Sequence, residues 1–472
     1  MRQNGSLFSN TVLLGVSAVF SKAVAFLLMP FYTAALSPAA FGTVDLVVST
    51  AVLLLPFVSL NAPAAVFRFL AGEGEEAKKS ILSNAVLLLG IGFLLFLLLL
   101  PLVRFSAVLT QYWRYLLFYV SASLLRSFLA HLLRAEGAYA VHALQQFLCA
   151  ALTAALQIFL IVGVGLDIKG YLLGVALADG AVALGLAWYL RPWRFLSRRA
   201  LCPARLASML RYALPLIPTS VFWWITAISD RYIILYYGGL TQTGLYAAAA
   251  RIPTLLTFTV GIFMEAWQYA ALEGEGEART AHFGRIYRML LPVAFLTASL
   301  LLVLAYPAVN LVFAAEYRAA VHFLPFLILA ALFSALSGFF GSVYTVNLQS
   351  GASFLSALLG ALLNLLLNFL WIPRLGALGA AVATFVAYLT VFLVRAAHTV
   401  RALPFERYMG KTAVALAFLL IAAFLISAQK YLLAVLPAAA ALLPFLREMW
   451  ETARFFYKRM RFLLKKRQKN TN

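Results

Sequence analysis

The sequence predicts an all-α polytopic membrane protein with about 14 transmembrane helices. Of its 472 residues, 64% are hydrophobic and 11% are charged, whereas charged residues make up about 25% of a typical soluble domain. The apolar runs reach the roughly 20 residues that a helix needs to cross a hydrocarbon core. The alternating pattern of an outer-membrane barrel is not visible. These observations exclude a soluble globular protein, and with it the nucleic-acid partner that a formal charge of +21 would suggest in one.

Apolar runs bounded by glycine, proline and charged residues give the helices in order. The first six are predicted at 8–34, 40–70, 78–103, 112–134, 139–165 and 169–190. The next six are predicted at 208–237, 242–270, 283–306, 318–346, 351–373 and 376–399, and a last pair at 408–428 and 431–447. Kinks are predicted at Pro56 and Pro63 in helix two, Pro215 and Pro218 in helix seven, and Pro253 in helix eight.

The distribution of lysine and arginine predicts how the helices are oriented. One side of the predicted topology carries 26 of these residues and the other carries 6. Because cytoplasmic loops are enriched in Lys and Arg, the richer side is predicted to be cytoplasmic. An even number of helices then places both termini in the cytoplasm.

A weak internal repeat divides the chain. The sequence GEGE at 72–75 recurs at 274–277, and the same offset of 202 carries Gly42 onto Gly244. We therefore predict an N-lobe at 1–200 with helices one to six and a C-lobe at 201–400 with helices seven to twelve. Helices thirteen and fourteen follow at 401–447. Parallel repeats of this kind occur in transporters whose halves rock about a central site.

Two basic segments lie outside the predicted helices. The stretch 191–211 contains six arginines and would connect the lobes, or would serve only as a topology signal. The end of the chain, 448–472, mixes aromatic and basic residues. That composition predicts a basic amphipathic cytoplasmic tail against anionic lipid, and a flexible basic tail is the alternative.

Cations within the predicted helices are the strongest functional signal. Unpaired cations that face lipid are costly, so they are expected to face a shared wet interior or to pair with carboxylates. The candidates for a central cationic, substrate-binding cavity are Lys22, Arg68, Arg126 and Arg251. Arg68 lies near a helix end and could instead extend to the interface, as could Arg231. A cavity lined in this way would suit an anion.

Four acidic residues in or near the helices complete the candidate site. Asp45, Asp179, Asp230 and Glu265 could bind a coupling ion or proton, or could neutralise a nearby cation. Neither the histidines nor the two cysteines have metal-ligand spacing, and the loops are too short for a catalytic domain. The sequence therefore predicts no catalytic residues, no metal and no cofactor.

Three stretches resemble a known family. They are NTVLLGVSAVFSKAVAFLLMPFYTAALSPAAFGTVDL at 10–46, SDRYIILYYGGLTQTGLYAAAARIP at 229–253 and NLQSGASFLSALLGALLNLLLNFLWIPRLGALGAAVATFVAYL at 347–389. They are similar to the oligosaccharide flippases, or polysaccharide biosynthesis proteins, of the multidrug/oligosaccharidyl-lipid/polysaccharide (MOP) exporter superfamily. The resemblance spans helices one to twelve and implies two lobes arranged as in multidrug (MATE) transporters.

The resemblance also implies a function. Such a protein would move undecaprenyl-pyrophosphate-linked oligosaccharide from the inner to the outer leaflet of the bacterial cytoplasmic membrane by alternating access. Its partners would be that lipid-linked sugar, membrane lipids, and a polysaccharide polymerase or glycosyltransferases. Related lipid II flippases have cations on helices one, two and eight, where this chain has Lys22, Arg68 and Arg251. Here helix one has a single lysine instead of several arginines, which departs from the lipid II pattern.

Two alternatives stay open from the sequence. A multidrug cation antiporter of the same superfamily would use interior acids, and drug efflux that depends on Asp45 or Asp179 would indicate it. A membrane glycosyltransferase or polymerase would act on the same lipid carrier, and bond formation by the purified protein would indicate it.

Overall fold

The computed structural model describes Ser17, Phe20 and the ranges 23–70, 73–271, 276–346, 349–399 and 406–454. Within these ranges the regular structure is helical and no strand occurs. Twelve of the described helical segments are long and apolar enough to cross a membrane. This confirms the all-α, multi-pass prediction. The count of 14 stays a prediction, because about half of helix one lies outside the described residues.

The helices fall into two compact units, each described here by itself. The first comprises Met1–Ala248, Phe313–Tyr317 and Asn368–Ala377, and the second comprises Ala249–Val312, Arg318–Leu367 and Leu378–Asn472. Residues 201–248, which the sequence assigns to the C-lobe, belong to the first unit. The two predicted lobes of six helices stay a prediction.

The first unit is built mainly from nine helices. They are α1 (Met29–Ala35), α2 (Pro38–Val58), α3 (Ala62–Leu70), α4 (Glu75–Leu99), α5 (Ala107–Ala135), α6 (Tyr139–Ile158), α7 (Asp167–Leu190), α8 (Pro203–Ala213) and α9 (Leu216–Ala249). A 3-10 helix follows α4 at Leu100–Phe105, and a π-helix follows α6 at Phe159–Gly163. Buried aliphatic residues of α3, α4, α5 and α7 form one continuous core cluster.

Most of the remaining helices belong to the second unit. They are α10 (Thr254–Ala271), α11 (Gly276–Val312), α12 (Leu324–Val346), α13 (Ser350–Leu375), α14 (Ala377–Thr399), α15 (Glu406–Ser427) and α16 (Tyr431–Ala440). A 3-10 helix at Ala315–His322 precedes α12, and a helical segment at 446–454 follows α16.

The predicted helix at 40–70 is broken in two. Leu60 and Asn61 have φ angles of 46° and 49°, which separate α2 from α3. The Asn61 N–H reaches back to the Pro56 carbonyl at 3.2 Å and to Ser59 Oγ at 3.2 Å, which closes a turn. Pro63 has no N–H, so it fits the first turn of a new helix better than the middle of an old one. Pro56 lies inside α2 before this break and Pro63 lies at the start of α3 after it, so the prediction of one helix at 40–70 is wrong.

The predicted helices at 208–237 and 242–270 also differ from the observed helices. Gly239 adopts φ 75° and ψ −179° inside α9, a backbone conformation that favours glycine. A second break at 250–253 separates α9 from α10, immediately before Thr254. Arg251 therefore lies in a turn, not within a helix. Pro253, which has no N–H to continue the preceding helix, accounts for the break.

Helices α2 and α9 approach so closely that their backbones touch. A methyl group added at Gly42 would lie 2.4 Å from the Leu240 carbonyl oxygen, and one added at Gly244 would lie 1.7 Å from the Pro38 carbonyl oxygen. Both positions therefore require glycine. These are the two glycines that the 202-residue offset relates.

A buried tyrosine holds the short segment 313–317 within the first unit. Tyr317 is fully buried, and its hydroxyl donates to the Leu36 carbonyl at 2.7 Å. The Ala314 N–H donates to Thr33 Oγ1 at 3.2 Å nearby. Burial raises the pKa of Tyr317, so the phenol stays a neutral donor at physiological pH.

We expect Tyr317→Phe to destabilise the protein by about 1–3 kcal/mol, because it leaves the buried Leu36 carbonyl without this donor. The measurement is the unfolding midpoint of the purified protein in detergent, followed by tryptophan fluorescence. Tyr236→Phe is the matched control, since Tyr236 is 81% exposed. Equal midpoints for the two variants would contradict the assigned role of the Tyr317 hydroxyl.

Candidate functional site

A buried ion-pair network joins α2 to α9, and we refer to it as the Arg231 network. Arg231 Nε lies 2.6 Å from Asp45 Oδ2, close but not aligned as a hydrogen bond. Arg231 Nη1 lies 3.5 Å from Asp230 Oδ1. The hydroxyl of Tyr246 donates to Asp230 Oδ2. The three charged side chains are at most 13% exposed, so the two carboxylates compensate the charge of one largely buried guanidinium.

Neighbouring polar contacts strengthen the same helix pair. Thr50 Oγ1 lies 2.6 Å from the hydroxyl of Tyr232, and Trp224 Nε1 donates to the Ser49 carbonyl at 3.0 Å. Thr50 also donates to the carbonyl one turn back in its own helix. Together with the glycine contact, these bonds hold α2 and α9 in one register along much of their length.

A second network, the Arg126 network, joins α5, α6 and α7. Arg126 Nε lies 2.6 Å from Asp179 Oδ1, and Asp179 is 5% exposed. Ser123 donates to Asp179 Oδ2, and the Cys149 thiol donates to Asp179 Oδ1 at 3.2 Å. One carboxylate thus accepts from groups on two helices and pairs with a cation. The arrangement satisfies a charge that would otherwise be costly inside a bilayer.

The second unit contains a buried cation of a different kind. Arg395 on α14 is 2% exposed. Its Nε donates to Ser356 Oγ at 2.9 Å, and its Nη1 donates to the Ser337 carbonyl at 2.9 Å. The ring of Tyr344 lies 5.9 Å from the guanidinium carbon. In the described part of the chain, no carboxylate lies within ion-pair distance of Arg395.

The predicted site residues have different positions. Arg126 and Asp179 are brought together, and Asp45 and Asp230 meet around Arg231. Arg68 is exposed in the last turn of α3, and Arg251 is half-buried in the turn before α10. Lys22 and the side chain of Glu265 lie outside the described residues. A cavity shared by Lys22, Arg68, Arg126 and Arg251 therefore stays a prediction.

Sequence reasoning missed three residues that the structure makes prominent. Arg231 was expected to reach an interface, but it is the centre of a buried network. Tyr246 carried no charge signal. Arg395 lies four residues from the end of α14, where the sequence alone gives no sign of burial, but packing against α12 and α13 buries it. The adjacent Asp230-Arg231 pair was the one local signal for the first network.

Metal binding gains no support from the described residues. No group of three or more His, Cys, Asp or Glu side chains among them is placed to hold a metal ion. His142 Nδ1 lies 3.2 Å from the Ala130 carbonyl, and its Nε2 lies 3.0 Å from Gln146 Nε2. These contacts account for that histidine as a packed, hydrogen-bonded residue.

Comparison with known sequences gives one family match. Residues 7–269, more than half of the chain, match the sequence profile described as polysaccharide biosynthesis protein. No curated protein sequence matches the chain.

Comparison with solved structures gives matches over most of the chain. The structure of "Lipid II flippase MurJ, inward closed conformation" has a TM-score of 0.69 at 15% identity, covering 95% of this chain and 99% of that one. An inward-facing multidrug resistance MATE family transporter of the MOP superfamily has a TM-score of 0.66 at 15% identity, covering 80% and 94%. A MOP superfamily transporter from Pyrococcus furiosus, described as having a binding pocket of reverse polarity, has a TM-score of 0.58 at 17% identity, covering 82% and 95%. These likenesses confirm the predicted MATE-like fold.

Proposed function

This chain belongs to the polysaccharide biosynthesis protein family of the MOP exporter superfamily, and we propose that it is a lipid-linked oligosaccharide flippase. It would move undecaprenyl-pyrophosphate-linked oligosaccharide from the inner to the outer leaflet for cell-surface polysaccharide synthesis, by alternating access. The observation that carries this proposal is the extent of the fold match. The lipid II flippase structure covers 95% of the chain, whereas the multidrug transporter covers 80%.

The chemistry of such a substrate fits a membrane protein with interior charge. A water-accessible cavity would shield the sugars from hydrocarbon, cations would hold the pyrophosphate, and the polyprenyl chain would stay in lipid. We assign the pyrophosphate contacts to Lys22, Arg68 and Arg251. Arg126 is engaged by Asp179 in this structure, so it would contact substrate only after that ion pair opens.

The acidic residues are proposed to act mainly by pairing with cations. The contacts of Asp45, Asp179 and Asp230 with arginines support this role. Coupling to a proton or another ion is a second role for these three residues and for Glu265. It would require the same carboxylates to exchange their arginine partner for the ion during the transport cycle.

The proposed membrane and orientation follow from charge. We place the protein in a bacterial cytoplasmic membrane with both termini in the cytoplasm, as the positive-inside rule favours. At the start of the 448–472 tail, Glu448 accepts a hydrogen bond from Lys411 at 2.6 Å, and Glu451 pairs with Arg447 at 3.0 Å. The Lys411 contact would keep the start of the tail against α15, and residues 455–472 lie outside the described part of the chain. Further proposed partners are a polysaccharide polymerase or glycosyltransferases.

A multidrug cation antiporter is the second candidate, because a multidrug transporter structure also matches most of the chain. Buried carboxylates such as Asp45 and Asp179 are the groups that a cationic drug or a coupling proton would use. The arginine partners of these carboxylates favour the flippase, since they already neutralise the negative charge.

The test is mass spectrometry of polyprenyl-linked intermediates in cells with and without the protein. We expect one lipid-linked oligosaccharide to accumulate when the protein is lost, and leaflet-specific labelling to find it on the inner leaflet. Lys22→Ala/Arg251→Ala should reproduce the accumulation, and Arg104→Ala/Arg114→Ala, which changes two exposed arginines, should not. No accumulation, together with altered drug sensitivity, would favour the antiporter.

A further inference from the structure

A groove of about 590 Å³ runs along the first unit between α6 and α7. Its walls are almost entirely aliphatic, with leucine, valine and alanine side chains from both helices. Its size lies within the range of about 300–1,000 Å³ that is typical of small-ligand sites. Gly185 lies in the wall, and a methyl group added there would meet nothing within 4 Å. The groove is therefore open space next to a helix backbone.

One polar side chain lies in this apolar groove. Gln145 on α6 lines it and is 3% exposed. Neither its amide oxygen nor its amide nitrogen has a hydrogen-bond partner within the part of the chain that the structure describes. A buried amide without partners is costly, particularly beside hydrocarbon, where water cannot replace them. The amide atoms are covered in this structure, so a ligand in the groove would satisfy them only after the Gln145 side chain turns toward it.

Cations and aromatic residues lie at the end of the groove. Tyr189 is its last α7 residue, and Arg191 follows two positions later, about 3 Å further along the helix axis. Arg191 ends α7 with a left-handed conformation, and the Arg194 N–H bonds back to its carbonyl at 3.1 Å. Both arginines are exposed, and neither has a carboxylate partner among the described residues. Trp193, between them, is 54% exposed.

We propose that the α6/α7 groove and the two arginines beyond it form a binding site for an anionic two-chain phospholipid. The acyl chains lie against the aliphatic walls, and the phosphate lies against Arg191 and Arg194. The assignment to a lipid rests on the order of these features along one direction: apolar walls, a buried amide, an aromatic belt and then unpaired cations. That order is the polarity profile of a phospholipid from chain to headgroup.

The depth of Gln145 in the groove determines which part of the lipid lies beside it. Gln145 lies six residues into α6, about 9 Å along the helix axis from Tyr139. Gly185, on the facing wall, lies about 8 Å from the end of α7 at Leu190. This depth corresponds to the glycerol and ester region below a headgroup at the helix ends. An ester carbonyl would accept from the Gln145 amide nitrogen, and a hydroxylated headgroup such as glycerol would donate to its oxygen.

The test compares lipid adducts of the purified full-length protein by native mass spectrometry. The protein in detergent is mixed with phosphatidylglycerol or with phosphatidylcholine, which have the same chains but differ in net charge. The groove variant is Gly185→Leu, which fills the open space. Its matched control is Gly90→Leu, since Gly90 is also an exposed helix glycine of the first unit with nothing within 4 Å.

We expect Gly185→Leu to lose the adducts of both lipids and Gly90→Leu to keep them. Arg191→Gln/Arg194→Gln should lower the preference for phosphatidylglycerol over phosphatidylcholine by roughly tenfold, because each arginine near an anionic surface contributes a few-fold. The control Arg104→Gln/Arg114→Gln should keep the preference. Gln145→Leu should weaken both lipids but raise the unfolding midpoint of the lipid-free protein, because it removes the unsatisfied amide.

Two results would overturn the proposal. One is equal phosphatidylglycerol binding by the folded Gly185→Leu and Gly90→Leu proteins, which would place the lipid elsewhere. The other is an equal loss of phosphatidylglycerol and phosphatidylcholine binding in the Arg191→Gln/Arg194→Gln variant. That result would show that the two arginines do not distinguish an anionic headgroup from a zwitterionic one. Size-exclusion profiles and unfolding midpoints of all variants establish that they are folded.

Discussion

Arg231→Gln should destabilise the protein by about 3–5 kcal/mol, because it removes one partner of a buried ion pair and leaves charge behind. Asp45 and Asp230 would lose the guanidinium that lies 2.6 Å and 3.5 Å from them. The expected result is a large fall in the amount of folded protein in the membrane and in its unfolding midpoint in detergent.

The double variant Asp45→Asn/Arg231→Gln tests whether the loss of stability comes from the unpaired charge or from the changed shape of the side chain at position 231. Removing both charges of a pair often costs much less than removing one, so the double variant should recover part of the loss. Arg104→Gln, at an exposed position of the same unit, should stay within about 0.5 kcal/mol of the original protein. If Arg231→Gln were as stable as Arg104→Gln, Arg231 would not be the central charge of a buried network.

Gly244→Ala should be the most disruptive single methyl group in the first unit. The added carbon would lie 1.7 Å from the Pro38 carbonyl oxygen and 2.6 Å from the Pro38 carbonyl carbon. Both are backbone atoms, so relief requires α9 to move away from α2. We expect a loss of about 3 kcal/mol or more, at the upper end of overpacking effects, measured by the unfolding midpoint in detergent.

The direction of the stability change distinguishes the close contact at Gly244 from the general effect of replacing a helix glycine by alanine. Gly90→Ala, in the open environment of α4, should stabilise the protein by about 0.5–1 kcal/mol, because alanine favours helix more than glycine does. Gly244→Ala should act in the opposite direction. Stabilisation by both substitutions would mean that α2 and α9 do not touch at this glycine.

The apolar helices could be predicted from the sequence because their signal is local. A run of about 20 apolar residues identifies a spanning helix without reference to its neighbours. A local signal also ended one predicted helix at 237 and began the next at 242, and Gly239 between them has a non-helical conformation. The extra break before Thr254 was missed, because Pro253 was expected to bend a helix and not to divide it.

Partner choice could not be predicted, because it depends on packing between distant segments. The sequence named Asp45, Arg126, Asp179 and Asp230 as candidates, but no pattern along the chain says that Arg126 meets Asp179. Burial of Arg395 depends on how α12 and α13 cover the end of α14. Counting charged residues along the sequence gives no information about that packing. The contact between Gly42 and Gly244 could be predicted only in part. The offset of 202 residues relates the two glycines, but it does not show that they touch.

The two cysteines differ in a way that is useful for experiments. Cys149 is buried and donates to Asp179, whereas Cys202 is exposed between the arginine-rich turns and α8. A polar thiol reagent would therefore find one accessible sulfur among the described residues, and with the proposed orientation it should label Cys202 in inside-out membrane vesicles but not in intact cells. Attached there, a fluorophore or a mass tag reports which face of the membrane the connecting segment occupies, without any substitution in the chain. The natural sequence thus already contains the reporter that a topology experiment normally has to introduce.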